Sequence, residues 1–373
     1  MIGYVPAPLP DELLYSLIAY LAYLYRSLSR TAFLKMLFGV KNVVVTMDFP
    51  CHIDAFVERL PPSTLWNAEQ IIMSMTLWPL YSPFVSKECA EKALIAMTGN
   101  EGRSIYSHLG IHANHRPTRT YLKYCPNCWA NHLAANKRIY WRRLFQAIGV
   151  YICPVHQVWL EDSEVPVRHG PLSRFASAQE LVCKTAARPL DSHRRLDQVL
   201  LQIVNDAAWL LAHPTLSAGP RALARCYQLA LFQKGFARYP GVIKIAELTD
   251  AFEKFFGHET LEFLESLIDR SNPQNWLMRL IRPSSTSNKP PLNHLLMFQF
   301  LGYSASEFFN VRWPCLNDPC SASVKQTREL YVWGYWRVDS KENFLCECAR
   351  LYSNQHQIKP LLKPFPDKSP MNS

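Results

Sequence analysis

Several motifs on which enzymes depend are missing from this chain of 373 residues. It has no Gly-x4-Gly-Lys-Ser/Thr loop, so we do not expect it to hydrolyse ATP. The His-Glu-x2-His motif of zinc hydrolases and the Gly-x-Ser-x-Gly elbow of serine hydrolases are absent as well. No spacing of carboxylates marks a set of metal ligands for two-metal strand transfer. Three carboxylates from distant parts of the chain could still form such a set in the folded protein. The sequence therefore favours a non-catalytic protein.

A membrane anchor and a secretory signal are also missing. The most apolar run, from Leu13 to Tyr25, is bounded by Glu12 and Arg26 and is too short to span a bilayer. The first eight residues carry no basic side chain, unlike a secretory signal. Seven of the eleven cysteines fall in metal-like clusters, and the chain is large for a disulfide scaffold. We predict a soluble protein of the bacterial cytoplasm that has no membrane partner.

The composition is that of a globular protein with an anionic partner. A hydrophobic content of 49% and a length of 373 residues allow two or three domains with cores. Forty basic residues against thirty acidic ones leave a net charge of +10. Such a charge favours an anionic partner but does not by itself choose among DNA, RNA and a membrane.

Two short motifs in the middle of the chain predict a metal site. Cys125-Pro-Asn-Cys128 is followed, after twenty-four residues, by Cys153-Pro-Val-His156. Each motif places two ligands about one turn apart, and a proline after the first ligand stiffens each turn. Four protein ligands leave no open coordination position, so we predict a structural zinc ion here.

A second group of cysteines follows near the C-terminus. Cys315 and Cys320 form one pair, and Cys346 and Cys348 form the other. Four neighbouring thiolates in a cytosolic protein are costly without a metal, which predicts a second structural zinc ion. Between the pairs, Leu330 to Val338 alternates aromatic and β-branched residues, as in the hairpin of a zinc ribbon.

The first metal motif lies in a stretch without acidic residues. From Gly102 to Leu160 there is no Asp or Glu, and Tyr140 and Trp141 stand among the basic side chains. An acid-free basic face of this kind suits the phosphate backbone of a nucleic acid. An acidic protein partner is the alternative, and a solvated basic face that contacts no partner is a third interpretation. The candidate nucleic-acid contacts are Arg116, Arg119, Lys123, Lys137, Arg138, Arg142 and Arg143.

The remainder of the chain predicts a mostly α, multi-domain protein. Asp11 is a plausible N-cap, Ser29 or Thr31 begins a second helix that Gly39 ends, and a helix from near Ser63 closes at Thr76-Leu-Trp-Pro-Leu-Tyr. Pro79 and Pro83 in that phrase predict a turn that exposes aromatic side chains.

Four helices are predicted further along the chain. Apolar positions repeat on one face from Leu196 to Leu211, and Leu292 to Leu301 is an apolar helix that Gly302 ends. Lys244 to Phe256 and His258 to Ile268 join at Gly257, as either a helix-turn-helix or a generic helical hairpin.

These segments divide the chain as follows: an N-terminal helical domain (1–100), the first zinc module (101–165), a linker (166–195), a helical domain with the helix-turn-helix-like pair (196–281), a helix plus the second zinc module (292–352) and a disordered tail (353–373).

The motifs resemble the TnsD/TniQ family of transposon target-selection proteins. The resemblance rests on Tyr124-Cys-Pro-Asn-Cys, Tyr140-Trp-Arg-Arg and Gly149-Val-Tyr-Ile-Cys-Pro-Val-His, and is strongest from 60 to 160 and from 276 to 352. Gln157 departs from the family, in which a Gly commonly follows the ligand His.

The resemblance implies a non-catalytic target selector. Such a protein marks a DNA site and recruits a TnsC-like AAA+ ATPase, which the N-terminal domain would contact, while separate transposase subunits cut and join. The Trp-Pro-Leu-Tyr phrase slightly favours direct attachment-site recognition of the TnsD type. The short length favours a TniQ-type adaptor on a CRISPR guide-RNA effector complex. From another class, a zinc-dependent nuclease or hydrolase would need an open metal position, and a transcription regulator would bind DNA without an ATPase.

Overall fold

Helices account for most of the regular structure in the computed structural model. It describes residues 2–111, 120–167, 175–181, 186–214, 218–239, 241–282 and 288–310, together with the backbone of 312–314 and 329–331. The α-helices of these residues are α1 (Leu14–Leu24), α2 (Arg30–Phe38), α3 (Ile53–Val57), α4 (Ala68–Met75), α5 (Trp78–Tyr81), α6 (Lys87–Thr98), α7 (Gly102–His108), α8 (Pro126–Ala134), α9 (Arg195–Ala212), α10 (Pro220–Gln233), α11 (Ile245–Phe256), α12 (His258–Phe263), α13 (Trp276–Ile281), α14 (Pro291–Leu301) and α15 (Ala305–Asn310).

Strands are short and occur in antiparallel pairs. They are β1 (Tyr121–Tyr124), β2 (Ile152–Cys153), β3 (Val158–Trp159), β4 (Glu161–Pro166), β5 (Arg312–Pro314) and β6 (Glu329–Tyr331). In the described residues β1 pairs with β4, β2 with β3 and β5 with β6. The prediction of a mostly α protein is confirmed.

Helix α9 is the central element of the core. Its apolar face, predicted from the spacing of Leu196, Val199, Leu200, Ile203, Ala207 and Leu210, is fully buried. It packs against α4, α5, α14 and α15 on the one hand and against β2, α11 and α12 on the other. Buried apolar side chains from α1 through α15 form one contiguous cluster around it. The metal motifs are therefore joined to the helical parts of the chain by apolar packing.

Several helix ends follow local signals in the sequence. Ser29 Oγ accepts a hydrogen bond from the amide of Ala32 at 3.3 Å and caps α2. Gly39 and Gly302 end α2 and α14 with left-handed backbone, at φ 74° and 79°. Helix α4 begins at Ala68 rather than near Ser63, because Asn67 and Gln70 form a capping box.

The prediction that Asp11 caps the first helix is wrong. Helix α1 begins at Leu14, and its N-cap, Leu13, offers no side-chain hydrogen bond. Asp11 lies before the helix with φ 60°, and its carboxylate accepts from the backbone amide of Leu144 at 3.1 Å. A long-range partner for the carboxylate has taken precedence over the local capping bond.

The aromatic side chains near Pro79 and Pro83 are buried, contrary to the prediction that the turn exposes them. Trp78, Tyr81 and Phe84 all belong to the core. Pro79 lies in the first turn of α5, where its missing amide hydrogen leaves no helical bond unmade. The chain turns here as predicted, but the turn directs these aromatic side chains into the core.

The predicted helical pair is present with a shorter second helix. Gly257 joins α11 to α12 at φ 80°, and α12 ends at Phe263 instead of Ile268. The backbone at Glu265 is left-handed, with φ 49°, which prevents the helix from continuing. DNA reading by this pair stays a prediction. Within the part of the chain that is described, every helix is too short or too polar to cross a bilayer.

Candidate metal centre and its surroundings

The four ligands of the first metal motif come from a helix start and a hairpin. Cys125 is the N-cap of α8 and accepts a hydrogen bond from the amide of Cys128, with Pro126 in the first turn. Cys153 ends β2, and His156 lies in the turn that leads to β3. Both pairs are thus held by local backbone geometry, as the proline-marked spacing predicts.

The ligand atoms meet at one point with the spacing of a tetrahedral site. Cys128 Sγ lies 3.8 Å from Cys153 Sγ, and the three sulfur atoms lie 3.3, 3.5 and 3.6 Å from His156 Nδ1. Bonds of about 2.3 Å to sulfur and about 2.0 Å to nitrogen in a tetrahedron give edges of roughly 3.5–3.8 Å. The cysteines are buried, and all four ligand atoms fall within 4.8 Å of one another. This set could hold a metal ion.

The pKa shifts of the thiols also favour a metal ion at this site. Hydrogen bonds to the other two thiols, together with burial, raise the pKa of Cys125, whereas bonds from Cys125 and Cys128 lower the pKa of Cys153. Three neighbouring sulfur atoms in a buried site therefore resist becoming thiolates together. A divalent cation at the centre removes that resistance, since the thiolate is the form that binds a metal.

Two further side chains orient the ligands. The amide of Asn131 lies 3.1 Å from His156 Nε2, the ring nitrogen that faces away from the sulfur atoms. Arg142 Nη1 lies 3.8 Å from Cys128 Sγ and places a positive charge beside the three sulfur ligands. Outer partners of this kind fix the ring of a ligating histidine and tune the metal.

Gln157 stands directly after the ligand histidine. Its backbone is left-handed, with φ 49°, a conformation that glycine adopts without the steric cost of a side chain. The departure noted at this position is thus accommodated by mild backbone strain, and the hairpin keeps its shape.

Two of the predicted nucleic-acid contacts are buried. Lys123 Nζ lies 3.2 Å from Asp162 Oδ1 and 4.4 Å from the centre of the Tyr151 ring. Arg143 donates to the carbonyl oxygens of Met73 at 2.7 Å and Leu211 at 3.2 Å. In this structure the two cations bind partners inside the protein.

Arg138 and Arg142 are half-buried and face the N-terminal segment. Arg138 donates to both carboxylate oxygens of Glu12, at 2.6 and 2.7 Å, and Glu12 is itself fully buried. Arg142 Nε lies 3.8 Å from Asp11 Oδ2. These two arginines of the acid-free stretch thus receive their carboxylates from Asp11 and Glu12, about 130 residues earlier in the chain.

Backbone and aromatic contacts reinforce this attachment. The amide of Leu13 donates to Trp141 O at 3.1 Å, and the Tyr140 hydroxyl donates to Pro10 O at 2.8 Å. Trp141 is completely buried and Tyr140 nearly so. The Tyr-Trp-Arg-Arg run therefore forms an internal junction between the metal motif and the start of α1.

The predicted basic contacts are not brought together as one exposed surface. Among the described members of the set, Lys137 is exposed, whereas Lys123 and Arg143 are buried and Arg138 and Arg142 are bound to acids. Arg116 and Arg119 lie outside the described residues. DNA contact by these side chains stays a prediction.

The second predicted metal group, Cys315, Cys320, Cys346 and Cys348, lies outside the described residues. Strand β5 ends immediately before Cys315 and pairs with β6, so the two strands bracket the first cysteine pair. The predicted hairpin within Leu330 to Val338 shares Leu330 and Tyr331 with β6, and the remainder of it lies outside the described residues. The predicted tail, 353–373, also lies outside the described residues.

Sequence reasoning missed Asp11, Glu12 and Asn131 as residues that support the site. One signal for the first two was available. Asp11 and Glu12 are the only acids in the first forty-seven residues, and a stretch of fifty-nine residues without any acid, 102–160, needs carboxylates from elsewhere. No pattern in the sequence marks Asn131, because its role depends on how α8 faces the hairpin.

The fold and the site define a class of protein: a mostly helical protein with a cluster of three cysteines and one histidine, suited to a structural metal, built into its core. Comparison with known proteins gives the family. A TnsD family profile, described as Tn7-like transposition protein D, matches residues 203–357, and a TniQ profile matches residues 4–160. The chain belongs to the TnsD/TniQ family.

A curated relative extends the comparison. The chain is 30% identical, over 285 residues, to the transposon Tn7 transposition protein TnsD of Escherichia coli. The alignment covers 74% of this chain and 54% of the relative, so the chain spans about half the length of the curated protein that it matches.

Proposed function

We propose that this protein is a non-catalytic target-site selector of a transposon. In this role it binds DNA and recruits a TnsC-like AAA+ ATPase, which directs insertion by separate transposase subunits. The observation that carries the proposal is the 30% identity, over 285 residues, to a protein named transposition protein TnsD. The family profiles support it because they cover the two long segments, 4–160 and 203–357.

Metal binding in this proposal is structural. Cys125, Cys128, Cys153 and His156 hold one zinc ion, and the four C-terminal cysteines hold another. Four protein ligands at the first site support a scaffold role, because a hydrolytic zinc keeps an open position for water. The same argument counts against the zinc-dependent nuclease or hydrolase.

Two surfaces carry the partners. Residues 1–100 are the candidate contact for the ATPase. DNA contact falls to exposed cations such as Lys137 and to the helical pair α11–α12, with Arg116 and Arg119 as further candidates. The net charge of +10 supports a polyanionic partner.

Direct recognition of an attachment site is the TnsD-type form of this function. It is favoured over a TniQ-type adaptor on a guide-RNA complex, because a TnsD profile matches 203–357 in addition to the TniQ profile at 4–160. An ordinary transcription regulator is the remaining alternative. It predicts DNA binding without an ATPase.

One experiment separates these functions. The purified protein is mixed with a TnsC-like ATPase, ATP and DNA that carries a candidate attachment site, and ATPase loading on the DNA is measured. Loading on naked DNA at that site is the expected result, and loading that requires a guide-RNA effector complex supports the adaptor. If neither condition recruits the ATPase, the proposed function is wrong although the family assignment stands.

A further inference from the structure

A small cavity lies where the two matched segments of the chain meet. Its volume is about 270 Å³, and its walls come from the end of α7, the start of α13 and the residues that lead into α14. The side chains used below are Gln274, Trp276, Arg279, Asn288, Lys289 and Asn293. With roughly 30 Å³ per water molecule, the space holds a phosphate group and several waters.

One wall of the cavity is fixed by close packing. Asn288 is 9% exposed, and its Nδ2 donates to the carbonyl oxygen of His108 at 2.9 Å. Gly110 approaches it so closely that a Cβ there would lie 2.8 Å from Asn288 Cβ, and the glycine has φ 70°. Asn288 Oδ1 is buried and has no hydrogen-bond partner among the described residues. This wall therefore joins the segment after α7 rigidly to the start of α14.

The charge in the cavity is predominantly positive. Arg279 is exposed and makes no ion pair among the described residues, and Lys289 is half-buried beside it. Burial, followed by the positive charge of Arg279, lowers the pKa of Lys289 to about 8. The single carboxylate in the lining, Asp269, accepts at Oδ1 from the amide and the hydroxyl of Ser271. Two neighbouring cations, one of them partly desolvated, are stabilised by an anion placed between them.

The neutral side chains suit a nucleic-acid backbone. Gln274 and Asn293 carry amide donors of the kind that bind phosphate oxygens beside Arg and Lys. Trp276 is half-buried, with its Nε1 donating to Ser266 O at 3.1 Å. Leu267, Trp276 and Pro290 supply the apolar part of the lining, and the two cations and the side-chain amides supply polar groups beside it.

We propose that this cavity binds a backbone phosphate of DNA, with Arg279 and Lys289 as the charged contacts and Gln274 and Asn293 as additional donors. The inference rests on the proposed DNA-binding function and names a contact that the basic stretch before Leu160 does not supply. Because Gly110 and Asn288 come from the two matched segments, DNA held here touches the junction of both.

The test is the salt dependence of binding to a short duplex of arbitrary sequence, with the whole 373-residue chain loaded with zinc. Arg279→Ala and Lys289→Ala are each expected to lower the slope of log K against log salt by about one, and the double variant by about two. Arg282→Ala is the matched control, since Arg282 is an exposed cation just beyond α13 that does not line the cavity. It is expected to leave the slope near that of the wild type. A melting curve of each variant establishes that it is folded.

The outcomes are distinguishable. Equal slopes for the wild type and both cavity variants, or an equal loss in Arg282→Ala, would overturn the cavity while leaving DNA binding intact. A wild-type protein that binds no duplex would overturn the proposed DNA-binding function and the cavity with it. A second measurement tests the binding of inorganic phosphate to the wild type and to the double variant. If phosphate binds only the wild type while the salt slopes for the duplex stay equal, the cavity binds free phosphate and the DNA assignment is wrong. Raising the pH through about 8 should weaken duplex binding in the wild type more than in Lys289→Ala.

Discussion

Arg143 and Asp11 form an ion pair in which Arg143 Nε lies 3.2 Å from Asp11 Oδ1, and only 7% of the arginine side chain is exposed. The same guanidinium donates to the carbonyl oxygens of Met73 and Leu211, near the ends of α4 and α9. One side chain thus joins the N-terminal segment, two helices and the residues beside the metal motif. Arg143 therefore acts as an internal junction in this structure.

We expect Arg143→Ala to lower the free energy of unfolding by about 3 kcal/mol, because it removes the donor to three carbonyl oxygens, of Met73, Thr76 and Leu211, and the closest cation to Asp11. Denaturant unfolding measures the change. Lys137→Ala removes an exposed cation six residues earlier and should change the stability by less than about 0.5 kcal/mol. Equal stability of the two variants would show that the guanidinium has no structural role. If Arg143→Ala stays folded, the salt slope of its DNA binding tests the predicted contact separately.

Removal of the metal should loosen the start of the chain as well as the ligands. Arg142 lies between Cys128 and Asp11, and Trp141 O accepts from the amide of Leu13. We expect chelation to increase hydrogen exchange in residues 9–16 and to lower the melting temperature. Elemental analysis of the untreated protein should show zinc. If chelation leaves the protection of residues 9–16 from hydrogen exchange unchanged, the stability of the N-terminal segment does not depend on the metal centre.

Asn131 should control metal affinity through His156. Because Nδ1 faces the sulfur atoms, Nε2 carries the hydrogen in the loaded protein and needs an acceptor. Asn131 Nδ2 lies 3.1 Å from Nε2 in this structure, so a flip of the side-chain amide brings its oxygen to that position as the acceptor. We expect Asn131→Leu to weaken zinc affinity about 10-fold in a chelator competition, and Asn131→Asp to preserve it. Asn205→Leu, an exposed position on α9, is the control. Equal affinities for the two leucine variants would remove Asn131 from the site.

Gln157→Gly should stabilise the protein. The left-handed backbone at this position destabilises the folded state by roughly 1 kcal/mol for a residue with a side chain. Glycine avoids this strain but loses more conformational entropy on folding, which offsets part of the gain. We expect a gain of about 0.5 kcal/mol in unfolding free energy at constant zinc. Gln198→Gly, in the exposed face of α9, should have the opposite sign. A loss of stability in Gln157→Gly would mean that the side chain makes a contact that outweighs the strain.

Asp206 should make stability depend on pH. Burial raises its pKa to about 6, while its Oδ1 accepts from the amide of Ala305 and from Gln202. A raised carboxyl pKa favours the protonated native state, so this contribution is present in acid and is lost as the pH rises through about 6. Asp206→Asn should be more stable than the wild type by about 1 kcal/mol near pH 8 and should show no advantage near pH 3, below the pKa of the carboxyl in the unfolded chain. An advantage that is the same at both pH values would contradict the assignment to Asp206.

Much of the helical structure could be predicted from short-range signals. The apolar face of α9, the Ser29 cap and the terminal glycines Gly39 and Gly302 are all present as expected. Each depends on residues within one or two turns, so the pattern and its cause lie in the same segment. The predictions that failed, the Asp11 cap and the exposed aromatics near Pro79, depended on what distant residues supply.

The sequence by itself determined the cluster of Cys125, Cys128, Cys153 and His156 that could hold a metal, because two turns with candidate ligands three residues apart impose their geometry locally and need only to meet. It also determined the family, through residues that share those turns. Only the tertiary structure decided the role of the neighbouring cations. Their charge is visible in the sequence, but Asp11 and Glu12 reach them from more than a hundred residues away, and a buried guanidinium has too little exposed surface to serve as a contact until that junction opens.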